Sequence, residues 1–196
     1  MRFALALAAF LLVAAPAQAR DATIIKAMNQ PSDNYIAETL IKGLGAQFGT
    51  AGSTTAGGTV IKDAVRPFGI TPVISDGSGL SRANRTSPRE VVTLLKSLDE
   101  SEVSEAFDSS LAVVGRNGTL YRRMRGTAAQ DRCHAKTGTL RDVSALAGFC
   151  TTVGGERVAF AFLMNGVYPA SARAVQDRMT VALARYEASS RSRQRR

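Results

Sequence analysis

Cys133-His134-Ala135-Lys136-Thr137-Gly138-Thr139-Leu140-Arg141-Asp142-Val143-Ser144-Ala145-Leu146-Ala147-Gly148-Phe149-Cys150 reads as two strands and a tight turn. The strands cover 135–140 and 143–153, and Arg141 and Asp142 form the loop. Leu140 then opposes Val143, and counting outward along both strands brings Cys133 opposite Cys150. Opposed residues in a non-hydrogen-bonded pair have Cα atoms about 4.5 Å apart, near the short limit for a disulfide. A slip of one residue would send the two side chains to opposite faces and forbid the bond. A longer loop leaves the alternative of two reduced core cysteines. The same register places Lys136 on the face opposite Cys133, so a disulfide would brace the strand without obstructing that face.

Working outward, 157–165 is a third strand, with Val158, Phe160, Phe162 and Met164 alternating on one face. Gly154-Gly155 suits a two-residue turn that needs positive φ. A closing helix over 170–186 offers Val175, Met179, Ala182, Leu183 and Tyr186 at helical spacing. Before the hairpin the period is helical. Ile36, Leu40, Ile41 and Leu44 form one apolar face after Ser32. Val60, Ile61, Ala64, Val65 and Phe68 form a second, over 54–68. Ser87-Pro88-Arg89-Glu90 opens a third helix with a capping box, and Val91, Val92, Leu94, Leu95 and Leu98 are its core side. Helices first, then a three-stranded antiparallel meander, then a C-terminal helix define an α+β class.

Residues 1–19 read as a secretory signal peptide. Arg2 is the positive start, 3–15 the apolar run, and Ala17-Gln18-Ala19 the cleavage site. The run is too short to span a bilayer, and no later stretch is apolar enough. The expected destination is the periplasm or cell envelope. The net charge is +9, and Arg185, Arg191, Arg193, Arg195 and Arg196 supply a large part of it. Residues 189–196 therefore read as a basic, disordered tail. An exported chain is a poor candidate for nucleic-acid binding. The adjacency of Cys133 and His134 lacks the spacing of zinc ligands, so neither a metal nor another cofactor is expected.

Two short motifs carry the chemistry. Ser32-Asp33-Asn34 lies early and Lys136-Thr137-Gly138 late. Taken singly, Ser32 can be an ordinary helix N-cap and Lys136 a solvated strand residue. Taken together they suit acyl transfer, which needs a proton shuttle, an oxyanion site and a carboxylate anchor. Ser32 can relay a proton to a leaving amine. The Asn34 amide can bond both substrate and lysine. Lys136 supplies positive charge, Thr137 a hydroxyl for a terminal carboxylate, and Gly138 room for a substrate backbone to lie along the strand.

In this order these motifs resemble the class C low-molecular-mass penicillin-binding proteins, the D-alanyl-D-alanine carboxypeptidase/endopeptidases. Asp76-Gly77-Ser78-Gly79-Leu80-Ser81-Arg82 with Asn84-Arg85, and Leu146-Ala147-Gly148-Phe149, extend the resemblance over nearly all of 21–188. It implies part of a penicillin-binding/β-lactamase-like transpeptidase fold over 20–188. It implies a stem peptide ending in D-Ala-D-Ala as partner, with Ser32, Asn34 and Lys136 catalytic and Thr137, Gly138 and Thr139 holding substrate. It also implies that the Thr139 backbone N–H serves an oxyanion hole. His134, Asp76 and Ser78 read as structural.

One element of the pattern is absent. The family's nucleophile is the serine of Ser-x-x-Lys. The five lysines here follow Thr23, Thr39, Thr59, Thr93 and Cys133 at that spacing, never serine. A threonine is a poor substitute, because its extra methyl restricts χ1 and crowds attack. The loss looks internal, between an export signal and the half that bears the motifs. The sequence-level expectation is a serine-type carboxypeptidase by descent, inactive alone, that meets β-lactams only if a nucleophile is supplied. The alternative is a nonenzymatic exported protein that binds peptidoglycan or a partner chain.

Overall fold

The computed structural model describes residues 18–187. The expected leader, save its last two residues, and the basic tail lie outside the described residues.

Among the described residues, five α-helices precede the sheet. The first, α1 (Gln18–Asn29), was not anticipated from the sequence, where the apolar side chains it buries among the described residues, Ile25 and Met28, make a short pattern. α2 (Asn34–Phe48) follows after four residues and buries Ala37, Ile41 and Leu44. Its N-cap is Asp33, whose carboxylate accepts from the Ile36 N–H at 2.9 Å. Ser32 is thereby released from the capping role that its position allowed. α3 (Thr54–Val65) is capped by Ser53 and buries Ile61 and Val65 against α2. It stops three residues before the expected end, and Arg66–Phe68 tightens into a 3-10 turn. Pro67 accounts for this, because proline has no N–H to donate to the carbonyl one turn earlier.

α4 (Pro88–Asp99) carries the full capping box. Ser87 Oγ accepts from the Glu90 N–H at 3.1 Å, and Glu90 Oε2 accepts from the Ser87 N–H at 2.7 Å. Its Val91, Leu94, Leu95 and Leu98 are buried. α5 (Ser104–Ser110) adds Phe107, packed edge-on to Phe149 at 6.4 Å.

The sheet is antiparallel, in the order β1 (Ala112–Val113), β2 (Cys133–Leu140), β3 (Val143–Thr151), β4 (Arg157–Asn165). The meander of β2, β3 and β4 matches the sequence reading, and the two-residue β1 is an addition beside Ala135 and His134. Leu140 pairs with Val143 and Cys133 with Cys150. The two cysteines form a disulfide with their Cα atoms 4.1 Å apart. The β3–β4 connection is longer than two residues, and Gly155 alone of the glycine pair takes positive φ, 85°.

Both faces of the sheet are covered, which is why β3 is buried almost throughout. Ala147, Phe149, Ala159, Ala161 and Leu163 face the helical layer. Cys133, Ala135, Leu146, Cys150, Phe160 and Phe162 face α6 (Pro169–Ala184). The face of α6 corrects the sequence reading. Val175, Met179, Ala182 and Tyr186 are exposed, Leu183 alone of the expected stripe packs in part against the core, and Ala172, Gln176, Thr180 and Ala184 are buried. Counting apolar residues chose the wrong stripe, because the inward one holds two polar side chains with partners. Gln176 accepts from Arg123 at 3.3 Å, and Thr180 donates to the Gln176 carbonyl at 2.8 Å.

The disulfide closes a loop with a sequence separation of 17. Removing a bridge of that span costs about 3 kcal/mol. Thermal unfolding with and without reductant should show a clearly lower midpoint for the reduced chain.

Candidate active site

Ser32 sits between α1 and the cap of α2 with φ 64°, a value few non-glycine residues adopt. The Asp33 N–H donates to the Met28 carbonyl at 2.8 Å and closes the turn. This turn aims Ser32 Oγ at β2, where Lys136 Nζ lies 2.5 Å away. Lys136 also donates to its neighbour's carbonyl, Thr137 O, at 2.8 Å. Asn34, the first residue of α2, lines the same cavity and is exposed. The expected Asn34–Lys136 hydrogen bond is not among the contacts of the described residues.

The cavity measures about 240 Å³. Ser32, Asn34, Lys136, Thr137, Gly138 and Thr139 all line it, so the structure brings together every catalytic and substrate-binding residue singled out in the sequence. Ser78, Gly79, Leu80, Thr119, Leu140 and Val143 complete it, unanticipated as site residues. The Asp76–Ser81 segment is a braced loop. Asp76 accepts from the Gly79 and Ser81 N–H groups and from the Asn84 amide. Glu38 of α2 accepts from the Gly77 and Ser78 N–H groups and from Ser78 Oγ, at 3.1, 2.9 and 2.7 Å. The motif in the sequence pointed to a loop, but nothing in the sequence assigned Glu38 the task of seating it beside the site. No sequence signal marks Thr119. It lies in a 3-10 turn tied to Gln30 by a 3.0 Å backbone bond, and its hydroxyl meets the Thr137 hydroxyl at 2.8 Å.

The outer edge of β2 is open beyond Ala135. Hydrogen-bonding direction alternates along an antiparallel strand. The Cys133 carbonyl accepts from Val114 on the β1 side, so the peptide groups of Ala135, Thr137 and Thr139 point the same way. β1 pairs no further than Ala135. The N–H and C=O of Thr137 and Thr139 therefore have no strand partner, and the Thr137 C=O accepts from Lys136 Nζ. An extended peptide can add there as a strand.

Electrostatics favour an anion. Lys136 is only 7% exposed, and burial pushes its pKa down to about 8. No carboxylate among the described residues offsets that penalty. Every other residue lining the cavity is uncharged. A buried ammonium without a counter-charge gains from any carboxylate that reaches it. His134, two residues before Lys136 in the chain, is engaged elsewhere. Its Nδ1 meets Asp108 Oδ2 at 2.7 Å, and Arg157 bonds the same carboxylate. Burial raises the Asp108 pKa, but these partners outweigh it and hold the carboxyl below its ordinary range. This cluster binds α5 to β2 and β4 and does not line the cavity.

A helical layer and an antiparallel sheet with this cleft between them form a penicillin-binding and β-lactamase-like fold. A crystal structure of penicillin-binding protein 4 from Haemophilus influenzae, complexed with a β-lactam, is similar with a TM-score of 0.76 and 28% identity. The match covers 85% of this chain and 42% of that one. A β-lactamase from Chitinophaga pinensis shares the fold at a TM-score of 0.64. Residues 12–186 match the D-Ala-D-Ala carboxypeptidase 3 (S13) family, and the chain belongs to that family. A D-alanyl-D-alanine carboxypeptidase of Actinomadura sp. strain R39 is 39% identical over 163 residues, 79% of this chain. The chain spans 30% of that relative's length and 31% of that of a second, the D-alanyl-D-alanine carboxypeptidase DacB of Haemophilus influenzae. No helix among the described residues is long and apolar enough to cross a membrane.

Proposed function

We propose that this chain is the substrate-holding part of a D-Ala-D-Ala carboxypeptidase/endopeptidase site, exported to the cell envelope, that binds peptidoglycan stem peptides without cleaving them alone. One observation carries the reading: the buried Lys136 ammonium, lacking a counter-charge, beside the open edge of β2. The terminal carboxylate of a peptide ending in D-Ala-D-Ala pairs with Lys136 and accepts from the Thr137 hydroxyl. The peptide backbone extends along Thr137 and Thr139, and Gly138 keeps the approach clear. Ser32 is placed to pass a proton between Lys136 and the leaving amine. Hydrolysis further requires the nucleophile and base of Ser-x-x-Lys, which this sequence does not contain.

Titration calorimetry with a stem peptide ending in D-Ala-D-Ala, and with its C-terminal carboxamide, tests the binding. Hydrogen bonds to charged groups contribute about 1.5–3 kcal/mol, so the amide should bind roughly 10- to 100-fold more weakly. Equal affinities would refute the carboxylate anchor. Incubation with a labelled penicillin tests the missing nucleophile, and intact-mass analysis should show no penicilloyl adduct. An adduct would show that the chain supplies its own nucleophile for this class of ligand.

A further inference from the structure

Ser32 and Lys136 do more in this geometry than relay a proton. Serine is a nucleophile when a neighbouring base takes its proton, and a lysine serves as that base when it is neutral. The Oγ–Nζ distance of 2.5 Å is within reach of proton transfer. Ser32 is held at positive φ, and its side chain opens on the cavity. Backbone outliers of this kind collect at reactive sites. We propose that Ser32 and Lys136 are themselves a nucleophile–base pair, and that Ser32 Oγ forms a covalent ester with uncharged, activated acyl or phosphonyl compounds.

With an alkyl fluorophosphonate the step balances as follows. The neutral Lys136 amine takes the Ser32 hydroxyl proton. The Oγ electron pair forms an O–P bond, and the P–F bond breaks. Fluoride leaves with its electron pair, and the ammonium returns its proton to solvent. Burial favours the neutral amine and places its midpoint at about 8. The charged groups around it are otherwise engaged. Asp33 caps α2, Glu38 takes the Gly77 and Ser78 N–H groups, and Arg173 of α6 donates to Thr139.

The same pair discriminates by charge. A carboxylate beside Nζ holds the lysine as ammonium, and an ammonium cannot accept the serine proton. Carboxylate binding and ester formation at Ser32 therefore exclude each other. Penicillins and stem peptides carry a carboxylate and should occupy the site unreacted. The inference uses the same Lys136 as the proposed function and does not depend on peptide binding.

The test is labelling of the intact, disulfide-bonded chain with an alkyl fluorophosphonate, followed by peptide mapping. One adduct is expected, on Ser32, with a rate that rises as pH passes through about 8. Lys136→Arg keeps the cation but not the base and should slow labelling roughly 100-fold or more. Ser32→Ala should remove the adduct. No adduct on Ser32 in the unmodified chain above that midpoint would overturn the proposal, and this result needs no variant to fold. Equal labelling of Lys136→Arg would also overturn it. A D-Ala-D-Ala peptide should protect Ser32. If Ser32 labels but the peptide neither binds nor protects, peptide binding fails and the dyad stands. If the peptide binds and Ser32 stays unlabelled, the dyad fails and peptide binding stands.

Discussion

Lys136→Met should make the chain more stable and weaken its affinity for carboxylate-terminated peptides. The wild-type ammonium is desolvated and has no counter-charge among the described residues. A shift from the ordinary lysine value of 10.5 to about 8 corresponds to about 3 kcal/mol against the charged form. Methionine fills similar volume without that cost, so denaturant unfolding at neutral pH should show a gain of up to about 3 kcal/mol. The gain depends on pH in a defined sense. Between about pH 8 and 10.5 the unfolded chain binds more protons at Lys136 than the folded chain does. Wild-type stability therefore rises through that window, and the advantage of the methionine variant shrinks. Peptide affinity should fall roughly 10- to 100-fold. A methionine variant less stable than wild type at neutral pH would show that Lys136 has a compensating partner.

Gly148→Val should unfold the chain or come close to it. Gly148 pairs with Ala135 in β2. A Cβ at this position would lie 2.0 Å from the His134 carbonyl oxygen and 2.6 Å from Ala135 Cα. Both are backbone atoms of the strand that bears Lys136, so no rotamer relieves the clash. A loss above about 4 kcal/mol is expected, visible as a collapsed thermal midpoint. Gly138→Ala is the contrast. Its Cβ would meet the Ala145 methyl at 3.4 Å, an ordinary contact. That variant should melt near wild type, and calorimetry should show weaker peptide binding, because the new methyl stands beside the path along β2. A cooperative wild-type-like melt for Gly148→Val would contradict this packing of β3 on β2.

The parts that were legible in the sequence are those in which local chemistry fixes geometry. The two-residue turn at Arg141 and Asp142 sets the hairpin register over its whole length, and the register brings Cys133 to Cys150. The capping box at Ser87 and Glu90 marks the start of α4 in the same way. The site residues were legible as motifs, yet their contact was not. Ser32 and Lys136 are 104 positions apart, and only the tertiary fold brings them together. Asp33, not Ser32, is the cap, a choice set by the backbone turn at Ser32. α1 and β1 are not legible in the sequence because each depends on tertiary partners, α1 with two buried apolar side chains among its described residues and β1 with two residues in all. α6 was placed but turned the wrong way, since its inward polar residues find partners that a hydrophobic pattern cannot foresee.

On the proposed function, this chain holds a D-Ala-D-Ala peptide between Ser32 and β2 and does not cut it alone. A nitrogen–proton correlation titration of the disulfide-bonded chain with such a peptide, with free D-alanine assayed in the same tube, tests both halves at once. Saturable shifts centred on Ser32, Asn34, Thr119 and the Lys136–Thr139 stretch are predicted, with the peptide recovered whole. Shifts absent from those residues, or release of D-alanine, would contradict it.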